Sequence, residues 1–148
     1  MKDKLAANLK AAMLARDSFL TDVIKGLKAA ILNQEIAEKK RKQGLSDQEI
    51  EVLFAKEAKK RLEAAELYRQ GGNSQMAEKE TLEHAIIIKY LPEQMSEAEI
   101  SKLVEAAIQR VGATETKDMG TVIGAVKAQT GNRADGSLIA KIVKNKLQ

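Results

Sequence analysis

The side chains best suited to hold a ligand are the cations near the end of the sequence. From Thr116 onward there are six basic and two acidic residues, whereas the preceding 115 residues carry 19 of each sign. The net charge of +4 therefore falls entirely on this tail, which permits a polyanion such as RNA as a partner. The cations predicted to hold an RNA backbone are Lys117, Lys127, Arg133, Lys141 and Lys144.

The tail contains no aromatic side chain. Proteins that read single-stranded bases stack them on aromatic rings, so RNA bound here would be recognised by its backbone and shape. Two other basic runs, at 39–42 and 59–61, are consistent either with solvated helix surface or with a binding patch.

Two glycines lie within a predicted helix of this tail, four residues apart. Gly120 and Gly124 each cost the helix about 1 kcal/mol relative to alanine, so something should require the missing side chains. A close backbone approach is the natural reason. The approaching backbone is either another helix of the same domain or a nucleic acid.

The turn between the last two predicted helices can likewise be interpreted in two ways, as a helix cap or as a phosphate-binding site. Gly131 suits a helix end and Asp135 an N-cap, with Gly136 in the first turn that follows. The free N–H groups of a helix start attract phosphate, but a capping carboxylate already occupies them and repels anions. Arg133 is the better phosphate ligand because its guanidinium is always charged. The residues assigned to this structural motif are Gly120, Gly124, Gly131, Asp135 and Gly136.

No pattern in the chain predicts catalysis. The spacing of Gly131, Gly136 and Ser137 resembles a phosphate-binding loop but lacks its lysine and its preceding strand. His84 is the only histidine and has no H-E-x-x-H motif or serine triad around it. Without cysteine there is no thiolate metal site. We therefore predict no catalytic residue, no metal ligand and no cofactor.

Composition and periodicity predict an all-α protein. The chain has 44% hydrophobic but only 3% aromatic residues and a single proline, which favours packed helices with aliphatic cores. The run at 85–88 is β-branched, but its place within a helical period argues against a strand. No apolar run in the chain approaches the length of a membrane span, so we expect a soluble, cytoplasmic protein with no membrane partner.

Apolar stripes and capping signals place the helices. We expect them at 3–15, 18–42, 46–70, 74–90, 96–111, 117–129 and 136–147, with capping boxes at 46–49 and 96–99. Basic residues should close the second helix at 39–42, and 91–95 should be a linker. The predicted buried positions include Leu5, Leu9, Met13, Ile24, Ile31, Ile36, Phe54, Ala58, Leu62, Ala65, Met76, Leu82, Ile86, Tyr90, Ile100, Val104 and Val111.

This pattern predicts two domains. Residues 1–92 would form an N-terminal long-helix hairpin or bundle, and 93–148 a small C-terminal domain of three helices.

Three segments are similar to the YqeY family: KYLPEQMS at 89–96, Asp118-Met119-Gly120 with Gly124, and ADGSLI at 134–139. The likeness runs over nearly the whole chain. That family resembles the tail of GatB, a subunit of the glutamine-dependent amidotransferase that converts misacylated Glu- or Asp-tRNA. Within the tail pattern the chain matches at Gly120, Gly124, Gly131, Ala134 and Leu138, but it has Asp135-Gly136 where GatB often has Asn-Pro.

The resemblance implies a C-terminal three-helix domain that contacts the body of a tRNA, with no active site of its own. An association with carbon–nitrogen ligase activity, with glutamine as amido-N-donor, would come from the larger enzyme. The leading hypothesis is thus a non-catalytic module that binds tRNA or another structured RNA. The alternative is a helical adaptor that docks a protein such as an amidotransferase or synthetase. The sequence indicates no oligomeric state.

Overall fold

The computed structural model describes residues 1–148 and is entirely helical, so the predicted all-α fold class is confirmed. Short 3-10 helices at Thr116–Asp118 and Gly131–Arg133 supplement seven α-helices. No helix has the length and apolarity needed to cross a membrane. In chain order the α-helices are α1 (Lys2–Leu14), α2 (Ser18–Ala37), α3 (Asp47–Gln70), α4 (Ser74–Ile88), α5 (Glu97–Val111), α6 (Met119–Thr130) and α7 (Gly136–Leu147).

The chain divides into two compact units, Met1–Leu91 (unit 1) and Pro92–Gln148 (unit 2). Unit 1 contains α1 to α4, with α1 packed on α2 and α3 on α4. The rings of Phe54 and Tyr90 meet edge to face in its core, with centroids 6.0 Å apart. Unit 2 packs α5, α6 and α7 around a purely aliphatic core. The fully buried residues of that core are Ile100, Val104, Val122, Val126, Ile139 and Val143.

The predicted helix starts are confirmed wherever a side-chain cap was expected. Asp17 accepts a hydrogen bond from the Leu20 amide at 2.9 Å and begins α2. At the start of α3 the Ser46 hydroxyl accepts from the Glu49 amide, and the Glu49 carboxylate accepts from the Ser46 amide. A second capping box, at 96–99, begins α5 in the same way. These motifs are local, which is why the sequence predicts them.

The predicted end of α2 is wrong, because the helix stops at Ala37 rather than near 42. Lys39 adopts a left-handed conformation with φ of 56°, and the Lys40 amide turns back to the Glu35 carbonyl at 2.7 Å. The Glu35 side chain fixes this turn, since its buried carboxylate pairs with Lys2 and accepts from the Leu45 amide at 2.9 Å.

The predicted cation cap of α2 is replaced by an ion-pair network. Lys40 pairs with Glu38 at 2.9 Å and with Glu49, whose carboxylate belongs to the α3 capping box. The Lys40 ammonium and the Ser46 amide lower the pKa of Glu49 to about 2. The loop between α2 and α3 is thereby tied to both helices.

Several predicted core positions are exposed instead. Met13, Ile36, Leu62, Leu82 and Val111 show 56%, 51%, 47%, 51% and 38% of their surface to solvent. On α3 the predicted alanines Ala58 and Ala65 are buried as expected, and only Leu62 is not. On α1 and α4 the buried residues are instead Ala12, next to Met13, and Ala77, next to Met76. Alanine contacts let helix axes approach closely, and the facing stripe of these two helices lies one position away from the predicted one.

In α4 this shift brings a carboxylate inside. Glu80 is only 7% exposed, and its carboxylate pairs with the Arg61 guanidinium of α3 at 3.2 Å. The same guanidinium also pairs with Glu83, at 3.2 Å. The buried residues of α4 are Ala77, Glu80 and Ile87. Of the predicted face, Leu82 is exposed, whereas Ile86 is partly buried against the core and Tyr90 is buried. The run at 85–88 lies in the helix, as expected.

The Glu35 contacts predict a dependence of stability on pH. Pairing with Lys2, followed by the Leu45 hydrogen bond, lowers the pKa of Glu35 from its ordinary 4.5. A lowered folded-state pKa contributes stability that is present above 4.5 and is lost as pH falls through the lowered value. We expect Glu35→Gln to lose less unfolding free energy than the wild type between pH 6 and pH 3, measured by urea denaturation followed by far-UV circular dichroism. Asp3→Asn, on exposed surface, controls for net charge. Equal losses in wild type and Glu35→Gln would contradict the assignment.

Candidate nucleic-acid interface

All five cations predicted to bind RNA lie in unit 2 and are exposed. Lys117 belongs to the first 3-10 helix and Lys127 to α6, while Arg133 ends the second 3-10 helix. Lys141 and Lys144 are on α7. The five cations are spread over 28 sequence positions, and all of them belong to one small unit of three helices.

Lys127 connects α6 to the start of α7. A Cβ atom placed on Gly136 would lie 3.1 Å from the Lys127 Cε and 3.2 Å from its Nζ, so the lysine side chain lies across the first turn of α7. Gly136, Ala140 and Lys144 follow at four-residue intervals and share one side of that helix. Lys127 and Lys144 therefore bracket a strip of small residues.

Lys117 and Arg133 are partly engaged within the chain. The Lys117 ammonium pairs with Glu115 at 3.0 Å. The Arg133 Nε donates to the Glu93 carbonyl at 3.5 Å, a long hydrogen bond. The pKa of Glu99 is lowered, first by Ser96 and further by the charge of Arg133.

Lys127, Lys141 and Lys144 are exposed, and no ion pair is found for any of the three. Lys146, by contrast, is held by Glu105 of α5. An unpaired lysine gives up no internal partner when it meets a phosphate. These three lysines are therefore the cations most available for an anionic ligand.

Gly120 and Gly124 lie on the exposed side of α6. A Cβ at either position would meet no atom within 4 Å. The helix-packing interpretation of these glycines thus has no contact within the chain to support it. What the two residues create is a bare stretch of helix backbone, one turn from Lys117 at one end and from Lys127 at the other.

The turn that precedes α7 is built from local hydrogen bonds. The Asp135 Oδ1 accepts from the Ser137 amide at 2.7 Å and from the Leu138 amide at 3.1 Å, so it caps the helix. Gly131 has φ of +54° and ψ of −130°, a conformation open to glycine, where α6 ends. The anion-attracting amides at this helix start are already used by Asp135.

The segment predicted as a linker has a structural role that the sequence did not reveal. The Met95 amide donates to the Arg133 carbonyl at 2.8 Å, and the Gln94 side chain donates to the Asn132 carbonyl at 3.1 Å. These bonds hold the 3-10 helix that carries Arg133 against the start of unit 2. The two residues joined by each of these hydrogen bonds are nearly 40 positions apart in the sequence. No local sequence pattern could therefore predict them.

His84 is in unit 1, on α4, where burial lowers its pKa. No group of three or more histidines, cysteines or carboxylates is placed to hold a metal ion. Unit 2 presents exposed cations and an exposed stretch of helix backbone at Gly120 and Gly124.

The open space above Gly124 gives a stability prediction. We expect Gly124→Ala to raise the free energy of unfolding by about 0.5–1 kcal/mol, because alanine restricts the unfolded chain and meets no neighbour in the helix. Ala128→Gly, at an exposed position one turn later, should lower it by a similar amount. Chemical denaturation of both variants checks this. A destabilised Gly124→Ala would mean that packing requires the glycine.

Comparison with known proteins extends the resemblance noted in the sequence. The model of a family described as Yqey-like protein matches residues 2–147. A search of curated proteins finds no match. The matched range includes unit 1 and unit 2, together with every segment in which the sequence resembles that family. The chain belongs to the YqeY family.

Proposed function

We propose that unit 2 is a non-catalytic RNA-binding module that holds tRNA, or an RNA of similar structure, by its phosphate backbone. The observation that carries the proposal is that unit 2 presents three exposed lysines for which no ion pair is found, Lys127, Lys141 and Lys144, and two exposed glycines on α6. Lys117 and Arg133 add to the positive charge of the same unit. The choice of tRNA rests on the resemblance to the GatB tail.

The contact surface suits a backbone rather than bases. Lysine is a flexible point charge that binds phosphate without reading sequence, and unit 2 offers no aromatic ring on which a base could stack. Gly120 and Gly124 would let a phosphodiester chain approach the α6 backbone without a side chain between them. The proposed binding is therefore weakly selective for sequence and strongly dependent on salt.

Any role in carbon–nitrogen ligation would be that of an accessory. The sequence predicts no catalytic residue, and no group of histidines, cysteines or carboxylates is placed to hold a metal ion, so we assign ammonia release from glutamine to the larger enzyme. We propose that the protein acts beside a glutamine-dependent amidotransferase, in the cytoplasm, by holding its RNA substrate.

Charge removal tests the lysines. We expect Lys141→Gln/Lys144→Gln to weaken binding of a fluorescently labelled tRNA transcript, and to reduce the magnitude of the slope of log K against log salt by about 2, since each phosphate contact contributes roughly one. Fluorescence anisotropy over a salt series measures both. Lys39→Gln/Lys42→Gln in unit 1 removes the same charge and should leave the slope unchanged. No binding at low salt, or equal losses in the two variants, would rule the proposal out.

A steric variant tests the glycines without altering charge. Gly124→Leu should weaken tRNA binding roughly tenfold, or about 1.4 kcal/mol, by blocking close approach to α6. Its matched control is Ala106→Leu, at an exposed position on α5. Circular dichroism should show both variants folded. Unchanged binding by Gly124→Leu would leave the lysines as the sole contacts.

Unit 1 favours a second candidate function, that of a protein-docking adaptor. Nine of the ten large apolar side chains that are exposed belong to unit 1, among them Leu14 at 76% and Leu67 at 67%. Exposed apolar side chains that adjoin one another commonly mark protein interfaces. A partner that remains bound after nuclease treatment and in high salt would favour this function over RNA binding.

A further inference from the structure

A groove in unit 1 is formed by three helices and is unrelated to the cations of unit 2. It has a volume of about 500 Å³ and lies between α1, the start of α2 and the end of α4. Its walls are mainly aliphatic, with Ala11 and Ala15 on one side and Leu20, Ile24 and Ile86 on the other. The volume falls within the range of about 300–1,000 Å³ typical of small-molecule sites.

The polar groups of this groove gather at one end. There the Asn8 side-chain amide donates to the Tyr90 hydroxyl at 2.7 Å, and the Tyr90 residue is only 7% exposed. Because Asn8 is the donor in that bond, the phenol keeps its own proton to donate to a ligand. The Lys4 ammonium lies 5.5 Å from the centre of the Tyr90 ring, and Lys89 lines the same groove.

The opposite end has the opposite charge. Asp17 lines the groove beside Ala15, and its carboxylate accepts from the Leu20 amide as the N-cap of α2. From Lys4 to Ala15 the groove follows about 16 Å of α1, at 1.5 Å per residue. An elongated ligand with one anionic end would therefore fit in one direction only, with its anion beside Lys4.

We propose that this groove binds a free medium-chain fatty acid. The carboxylate would pair with Lys4 and Lys89 and accept a hydrogen bond from the Tyr90 hydroxyl, while the alkyl chain lies along Ala11, Ala15 and Ile24 toward Asp17. Charge-assisted hydrogen bonds to a carboxylate are stronger than neutral ones, and the chain buries apolar surface. A helix of a partner protein is the other conceivable occupant, but the convergence of donors at one end favours a ligand with a single polar end.

Isothermal titration calorimetry of the full-length protein with decanoate, below its micelle concentration, tests the proposal. We expect saturable binding of one decanoate per chain, with amide NMR shifts at Ile24, Ile86 and Tyr90. Lys4→Gln/Lys89→Gln should weaken binding at least tenfold, and Tyr90→Phe severalfold while keeping the ring. Decanol, which lacks the charge, should bind at least tenfold more weakly than decanoate.

The chain supplies a matched control. A neighbouring apolar hollow lined by Ala6, Leu9 and Met13 is flanked by Lys10 and Lys28 but has no tyrosine hydroxyl. Lys10→Gln/Lys28→Gln should leave decanoate affinity within twofold of the wild type. Absence of saturable binding would overturn the proposal and leave the groove to a partner helix. Equal affinity for decanol, or equal weakening by the two lysine pairs, would also overturn it.

Discussion

The structure depends on one constraint: helices with narrow apolar stripes must pack closely enough to exclude water from two separate hydrophobic cores. Unit 1 meets this constraint by packing alanines, such as Ala12 and Ala65, where helices touch, which brings the axes close but leaves larger neighbours at the surface. The same arrangement admits Glu80 to the interior, since Arg61 pairs with it there. The exposed leucines of unit 1 and its alanine-walled groove are thus consequences of how its core is packed.

Polar side chains fix the connections between the packed helices. In unit 1 the Glu35 carboxylate joins the N-terminal residues to the loop after α2, because a buried carboxylate must find donors. In unit 2 the carbonyls of Asn132 and Arg133 accept from Gln94 and Met95. Each connection positions a loop whose conformation propensity alone would leave undetermined.

The accuracy of sequence interpretation follows from the range of the interactions involved. Capping boxes span four residues, so their helix starts are predicted correctly, and the glycine signals at the end of α5 and α6 are equally local. The end of α2 is not predicted correctly, because it depends on the contact between Lys2 and Glu35, which are 33 positions apart. Charge counting finds the cations of unit 2, but only the structure distinguishes paired Lys117 from unpaired Lys141. Nor could periodicity foresee that Gly124 faces open space.

The segregation of aromatic residues has a practical consequence. Both tyrosines and both phenylalanines lie in unit 1, with Phe54 against Tyr90 in its core, and unit 2 has none. Near-ultraviolet absorption and intrinsic fluorescence therefore report on unit 1 alone. Unit 2 contributes no aromatic side chain to either signal. It therefore adds no aromatic chromophore of its own to the ultraviolet spectrum of a complex with a nucleic acid.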